Sequence, residues 1–107
     1  VAPMLQVGEI RAIAGDDLWL SPASGGDVVA IHFTWIPDMP AVLPALGALE
    51  EQLAPFGARP HWGKVFTTPP DVVRRVYPRV PDAAALARRL DPDGVFRNGF
   101  VEEYLGA

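Results

Sequence analysis

Val28-Val29-Ala30-Ile31-His32-Phe33-Thr34-Trp35-Ile36 is the stretch on which the fold turns. β-Branched and aromatic residues dominate it, as a pleated, half-buried surface requires. Side chains alternate along a strand, so Ile31, Phe33 and Trp35 share one face while Ala30, His32 and Thr34 share the other. Residues 4–13 (MLQVGEIRAI) read as a second strand of mixed burial. One face carries Leu5, Val7, Glu9, Arg11 and Ile13; the other carries Met4, Gln6, Gly8, Ile10 and Ala12. Between the two strands, Ala14-Gly15-Asp16-Asp17 is a turn, Leu18-Trp19-Leu20 a short strand or edge piece, and Ser21 to Asp27 a loop.

Downstream, Asp38 is a suitable helix N-cap, Pro40 falls in the first turn, and Val42, Leu46, Leu49 and Leu53 mark an apolar stripe. Pro55 and Gly57 end that helix. His61 to Phe66 is a short strand or extended loop. Thr68-Pro69-Pro70-Asp71 starts a short helix to about Tyr77, and Pro81-Asp82 another with Ala83, Leu86, Ala87 and Leu90 inward. Asp91-Pro92-Asp93-Gly94 is a turn, and Phe100 to Leu105 a last helical turn. The order β, β, α, β, α, α predicts an α+β fold, an antiparallel sheet with helices packed on one face.

The whole chain has 107 residues, half of them apolar, which suits one domain able to bury about 65% of its unfolded surface. It has no cysteine, so it carries no disulfide, no thiolate metal site and no thiol nucleophile. A net charge of −4 and a single lysine argue against a nucleic-acid partner. No apolar run reaches the ~20 residues of a transmembrane segment, and no signal-peptide pattern opens the chain. The expected location is the cytoplasm. The opening Val1-Ala2-Pro3 reads as cut from inside a longer chain and the closing Tyr104-Leu105-Gly106-Ala107 as a natural stop, so a C-terminal piece is expected.

Polar residues on otherwise apolar strands carry what chemistry there is. Glu9 and Arg11 lie two apart and project from one face about 7 Å from each other. Spacing alone favours a plain surface ion pair. His32 and Thr34 repeat the arrangement on the next strand, where a satisfied histidine and a β-favouring threonine are the simplest account. If the two strands pair antiparallel, all four meet on one surface, a set of groups suited to a polyhydroxylated small molecule. Lys64 lies among aromatics in His61-Trp62-Gly63-Lys64-Val65-Phe66, and its simplest role is a snorkelling surface cation. The histidines, 61 and 32, are 29 positions apart with no third ligand evident, so no metal site is expected. Phosphate-cradling, nucleophile-elbow and zinc-protease motifs are absent.

Taken together, Gln6-Val7-Gly8-Glu9-Ile10-Arg11, Asp16-Asp17-Leu18-Trp19-Leu20-Ser21-Pro22 and Ile31-His32-Phe33-Thr34-Trp35 resemble a known family. It is the FAD-linked aldonolactone and alditol oxidases, within the wider vanillyl-alcohol-oxidase-like flavoproteins. Arg59-Pro60-His61-Trp62-Gly63-Lys64 looks like that family's HWxK motif, and Leu90 to Asn98 like its closing LDPxGxFRN signature. The resemblance covers essentially the whole chain, and the Glu-x-Arg and His-Phe-Thr-Trp pieces point to the bacterial alditol (xylitol) oxidase branch.

This resemblance implies the substrate-binding cap portion, residues 1–107, of a two-domain flavoprotein whose FAD-binding domain lies outside this chain. It implies oxidation of a polyol's terminal CH2OH to an aldehyde with O2 reduced to hydrogen peroxide, FAD being held mainly, in some members covalently, by the other domain. Glu9, Arg11, Thr34 and Lys64 fall on polyol-binding positions and His32 beside the reacting carbon. Lys64, Glu9 and His32 take catalytic roles, while Lys64 and His61 face the cofactor. A sugar-1,4-lactone oxidase of the same family and a non-catalytic α+β binding module are the competing expectations.

Overall fold

The computed structural model describes residues 2–106. Val1 and Ala107, on which the expected internal start and natural stop partly rested, lie outside the described residues. The elements are strands β1 (Leu5–Ile13) and β2 (Val28–Trp35) and helices α1 (Met39–Leu53), α2 (Pro70–Val76) and α3 (Val80–Leu90), followed by a single π-helical turn, Val101–Leu105. Strands and helices in this order form the expected α+β class, with the sheet antiparallel.

Among the described residues the sheet has two strands, not three. Leu18-Trp19-Leu20 is a turn because the Asp16 carboxylate captures local donors, accepting from the Leu18 N–H at 2.9 Å and the Ser21 hydroxyl at 2.5 Å. His61 to Phe66 is likewise no strand. The His61 imidazole accepts the Gly63 N–H and its carbonyl the Lys64 N–H, which bends the chain before a ladder can start. A third correction concerns Leu5. The register slips between Leu5 and Val7, setting Leu5 opposite Trp35 and Val7 opposite Thr34. Such a bulge moves Leu5 off the Glu9 face and onto that of Ile31 and Trp35.

Helix α1 starts as expected: Asp38 accepts the Ala41 N–H, and proline occupies the first turn. Val42 and Leu46 are buried, and Leu49 and Leu53 half-buried. In α3 the buried residues are Val80 and Ala84, one turn apart. Leu90, expected inward, is 73% exposed. It is the helix's last residue and lies off the line that Val80 and Ala84 set.

The core lies where α2, α3 and the C-terminal turn meet. Val73, Tyr77 and Val80 are fully or almost fully buried there, with Leu20, Trp62, Phe66, Val76, Tyr104 and Leu105 around them. Tyr77 is the largest of the three. Its ring lies 4.6 Å from that of Trp62 and its hydroxyl donates to the Pro60 carbonyl. Two arginines fasten the C-terminal turn, Arg74 donating to the Glu103 carbonyl and Arg88 to that of Gly106. The Asp91 carboxylate accepts the Val95 and Phe96 N–H groups, and Gly94 takes the left-handed φ of +69° that closes this turn. The ribbon, by contrast, touches the helices only lightly.

Candidate functional site

The β-ribbon places four of the six sequence-predicted residues on one face. Glu9 stands directly opposite His32, Arg11 opposite Ala30, and Val7 opposite Thr34, so Glu9, Arg11, His32 and Thr34 project to the same side. The Glu9 carboxylate is the hub. One oxygen, Oε2, accepts from Arg11 Nη2 at 2.6 Å and lies 3.2 Å from His32 Nδ1. The side chains of Glu9 and His32 are half-buried, 41% and 39% exposed, while Arg11 at 64% reaches further into solvent.

This contact fixes the histidine's chemistry. A carboxylate beside Nδ1 favours the tautomer with the proton on that nitrogen, so Nε2 of the neutral ring keeps its lone pair and can accept a proton. The hydrogen bond from His32, and next the charge of Arg11, hold the Glu9 carboxyl below its ordinary range. A lowered folded-state value means that this arrangement stabilises the fold above the usual carboxyl pKa and is lost as pH falls through the lowered one. Carbon-13 titration of the Glu9 carboxyl is therefore expected to shift upward in both His32→Ala and Arg11→Gln. A titration unmoved by either substitution would contradict the geometry.

His61 and Lys64 stand on the turn after Pro60, and both are exposed. Among the described residues no hydrogen bond or ion pair joins either of them to the ribbon group. They are nevertheless tied to the ribbon indirectly. Arg59 Nη1 donates to three backbone carbonyls of the β1–β2 connection: Ser21 at 3.4 Å, Pro22 at 3.3 Å and Ser24 at 2.8 Å. Trp62 Nε1 donates to the Leu20 carbonyl at 2.9 Å, and the Arg59 guanidinium sits 5.5 Å from the centre of the Tyr77 ring. The same connection closes tightly on itself, since a Cβ on Gly15 would meet the backbone of Gly26 at 2.5 Å.

Sequence reasoning read Arg59 only as part of a motif and overlooked Tyr77. The available signal was a planar, five-donor cation next to a proline and close to aromatics, the setting in which arginine collects carbonyls. Among the described residues no group of three or more His, Asp or Glu is placed to hold a metal. No helix there is long and apolar enough to cross a membrane.

Comparison with known proteins gives the family. Residues 7–104 match the family described as D-arabinono-1,4-lactone oxidase, and the chain belongs to that family. It is similar to an alditol oxidase of Streptomyces sp., 54% identical over 105 residues that make up 98% of this chain and 25% of the relative. It is also similar to an L-gulono-1,4-lactone dehydrogenase of Mycobacterium tuberculosis, 35% identical over 97% of this chain and 24% of the relative. Mouse L-gulonolactone oxidase is 30% identical over 89% of this chain and 22% of its own length. The chain thus spans about a quarter of the length of these relatives.

Proposed function

We propose that residues 1–107 are the C-terminal, substrate-binding cap portion of a cytoplasmic, FAD-dependent alditol:oxygen oxidoreductase. The longer protein oxidises the terminal CH2OH of a polyol such as xylitol or sorbitol to the aldehyde, and O2 is reduced to hydrogen peroxide. The remainder of the polypeptide binds the FAD, and this chain alone is inactive. The observation that carries the reading is the Glu9 carboxylate shared by Arg11 and His32 on one sheet face. Its support is a relative, 54% identical, that bears the name alditol oxidase.

The donor set at the neighbouring turn fits a flavin. His61 uses Nδ1 to accept the Gly63 N–H, which leaves the Nε2 side of its ring as a donor, and Lys64 adds an exposed ammonium. Two such donors suit a ring system that gains negative charge on reduction. When bound, the flavin supplies the hydride acceptor and the route of electrons to O2.

The chain's own residues do the rest. Arg11 grips the hydroxyls next to the reacting carbon, and Thr34 reads more distant ones. Glu9 and Lys64 bracket the C1 hydroxyl, while His32, oriented by Glu9, takes its proton at Nε2. Two opposite charges with a hydroxyl suit an open-chain polyol better than a closed lactone, whose ring presents fewer donors. Closure of the flavin-binding part over this face excludes water and brings the reacting atoms to near contact.

The test is colour. The full-length protein is expected to purify yellow and to bleach when xylitol is added without oxygen, and L-gulono-1,4-lactone is expected to leave it coloured. Bleaching by the lactone alone would favour lactone oxidation, and a colourless protein would leave only a binding module.

A further inference from the structure

The face of the ribbon turned away from Glu9 and His32 is apolar from end to end. The bulge brings Leu5 onto it, where it joins Gly8, Ile10, Ala12, Val29, Ile31, Phe33 and Trp35. Ile10 is 78% exposed, Val29 66% and Ile31 45%. Phe33 and Trp35 stack with ring centres 5.3 Å apart and are only half-buried. A two-stranded ribbon by itself is marginally stable in water, and an apolar face left open on both of its strands calls for a further element packed against it.

The size of the patch selects its occupant. Strands of nine and eight residues, at ~3.3 Å per residue and ~4.8 Å apart, present about 300 Å² per face. Two copies set face to face would bury about 600 Å², half the ~1,200 Å² at the lower end of stable interfaces. A segment of the same polypeptide does not face that threshold, because tethering supplies an effective concentration in the millimolar range. The family relatives are about four times as long as the matched region, so polypeptide to fill this role exists in them.

We propose that this face is the docking surface for an apolar segment of the same polypeptide lying outside residues 1–107. That segment packs across Ile10, Val29 and Ile31 and leaves the Glu9–His32 face free for ligand. The inference rests on the reading of this chain as part of a longer family member.

The chain's lack of cysteine permits a direct probe. Ile10→Cys and, separately, Val29→Cys are placed in the full-length protein. Maleimide labelling of the peptide carrying each position is followed by mass spectrometry, alongside the mass in solution by light scattering. Labelling at least tenfold slower than in the same protein unfolded in urea, at a rate independent of protein concentration, is the expected result. Labelling as fast as in urea would show an open face and overturn the proposal. Protection that vanishes on dilution, with a dimeric mass, would assign the face to a second copy and overturn it equally. The Val29 variant decides the matter if the Ile10 variant does not fold. Neither readout involves polyol oxidation. A shielded protein that oxidises nothing would sink the functional reading alone, and a polyol oxidase with fast labelling would sink this one alone.

Discussion

Lys64→Ala in the full-length protein is expected to lower polyol turnover by about 10²-fold or more while flavin content stays unchanged, since losing one donor that meets developing charge costs that much. Lys64 is the only lysine of the chain, and its turn is held by its backbone N–H and by the neighbouring Arg59 and Trp62 rather than by its ammonium. The substitution therefore removes a charge without removing a support, and stability is expected to hold. Lys64→Arg keeps the charge but spreads it over a wider, planar group, so only partial recovery is expected. Steady-state kinetics and the visible flavin spectrum of the same samples measure both halves of the expectation. Unchanged turnover would remove Lys64 from the mechanism.

The second large effect is on folding. Tyr77→Ala empties the centre of the core, where the ring is fully buried against Trp62. Replacing a buried aromatic by alanine costs about 3–5 kcal/mol, against a total of about 5–15 kcal/mol for a domain. At about 4–8 °C per kcal/mol for a chain of this size, the melting temperature should fall by more than about 12 °C. Tyr77→Phe keeps the ring and loses only the bond to the Pro60 carbonyl, a change of about 1 kcal/mol. Burial pushes the Tyr77 phenol up to about 12, with the Arg59 charge acting in the opposite direction. A raised folded-state value means that its contribution is complete below the ordinary tyrosine pKa of about 10 and is lost as pH rises towards about 12. Alkaline unfolding that begins in this window in the parent protein, and is absent from Tyr77→Phe, would locate the effect. A melting temperature for Tyr77→Ala within a few degrees of the parent would refute the account of the core.

The ribbon and its polar face were legible because both follow from alternation, a strictly local rule. Val28 to Trp35 reads as a strand from residue types alone, and antiparallel pairing then brings Glu9 and His32 to one side. What escaped depends on contacts between distant positions or on side chains that compete with the backbone ladder. The Asp16 carboxylate and the His61 ring each take backbone donors, which turned two expected strand pieces into turns. A one-residue bulge, invisible in the pattern, moved Leu5 to the opposite face. Tyr77 was overlooked for a related reason: its burial depends on Trp62, fifteen positions away, and no helical stripe announces it. Lys64 and His61 were recognised by motif, but the link from their turn to the ribbon runs through Arg59, and no periodicity announces it.

The Arg59 clasp has a bearing on how such a protein can diversify. Its three acceptors, at Ser21, Pro22 and Ser24, are all main-chain oxygens, which every amino acid provides. As far as the clasp is concerned, the side chains at these three positions can change while Arg59 keeps its hold, whereas loss of the single guanidinium releases all three carbonyls at once.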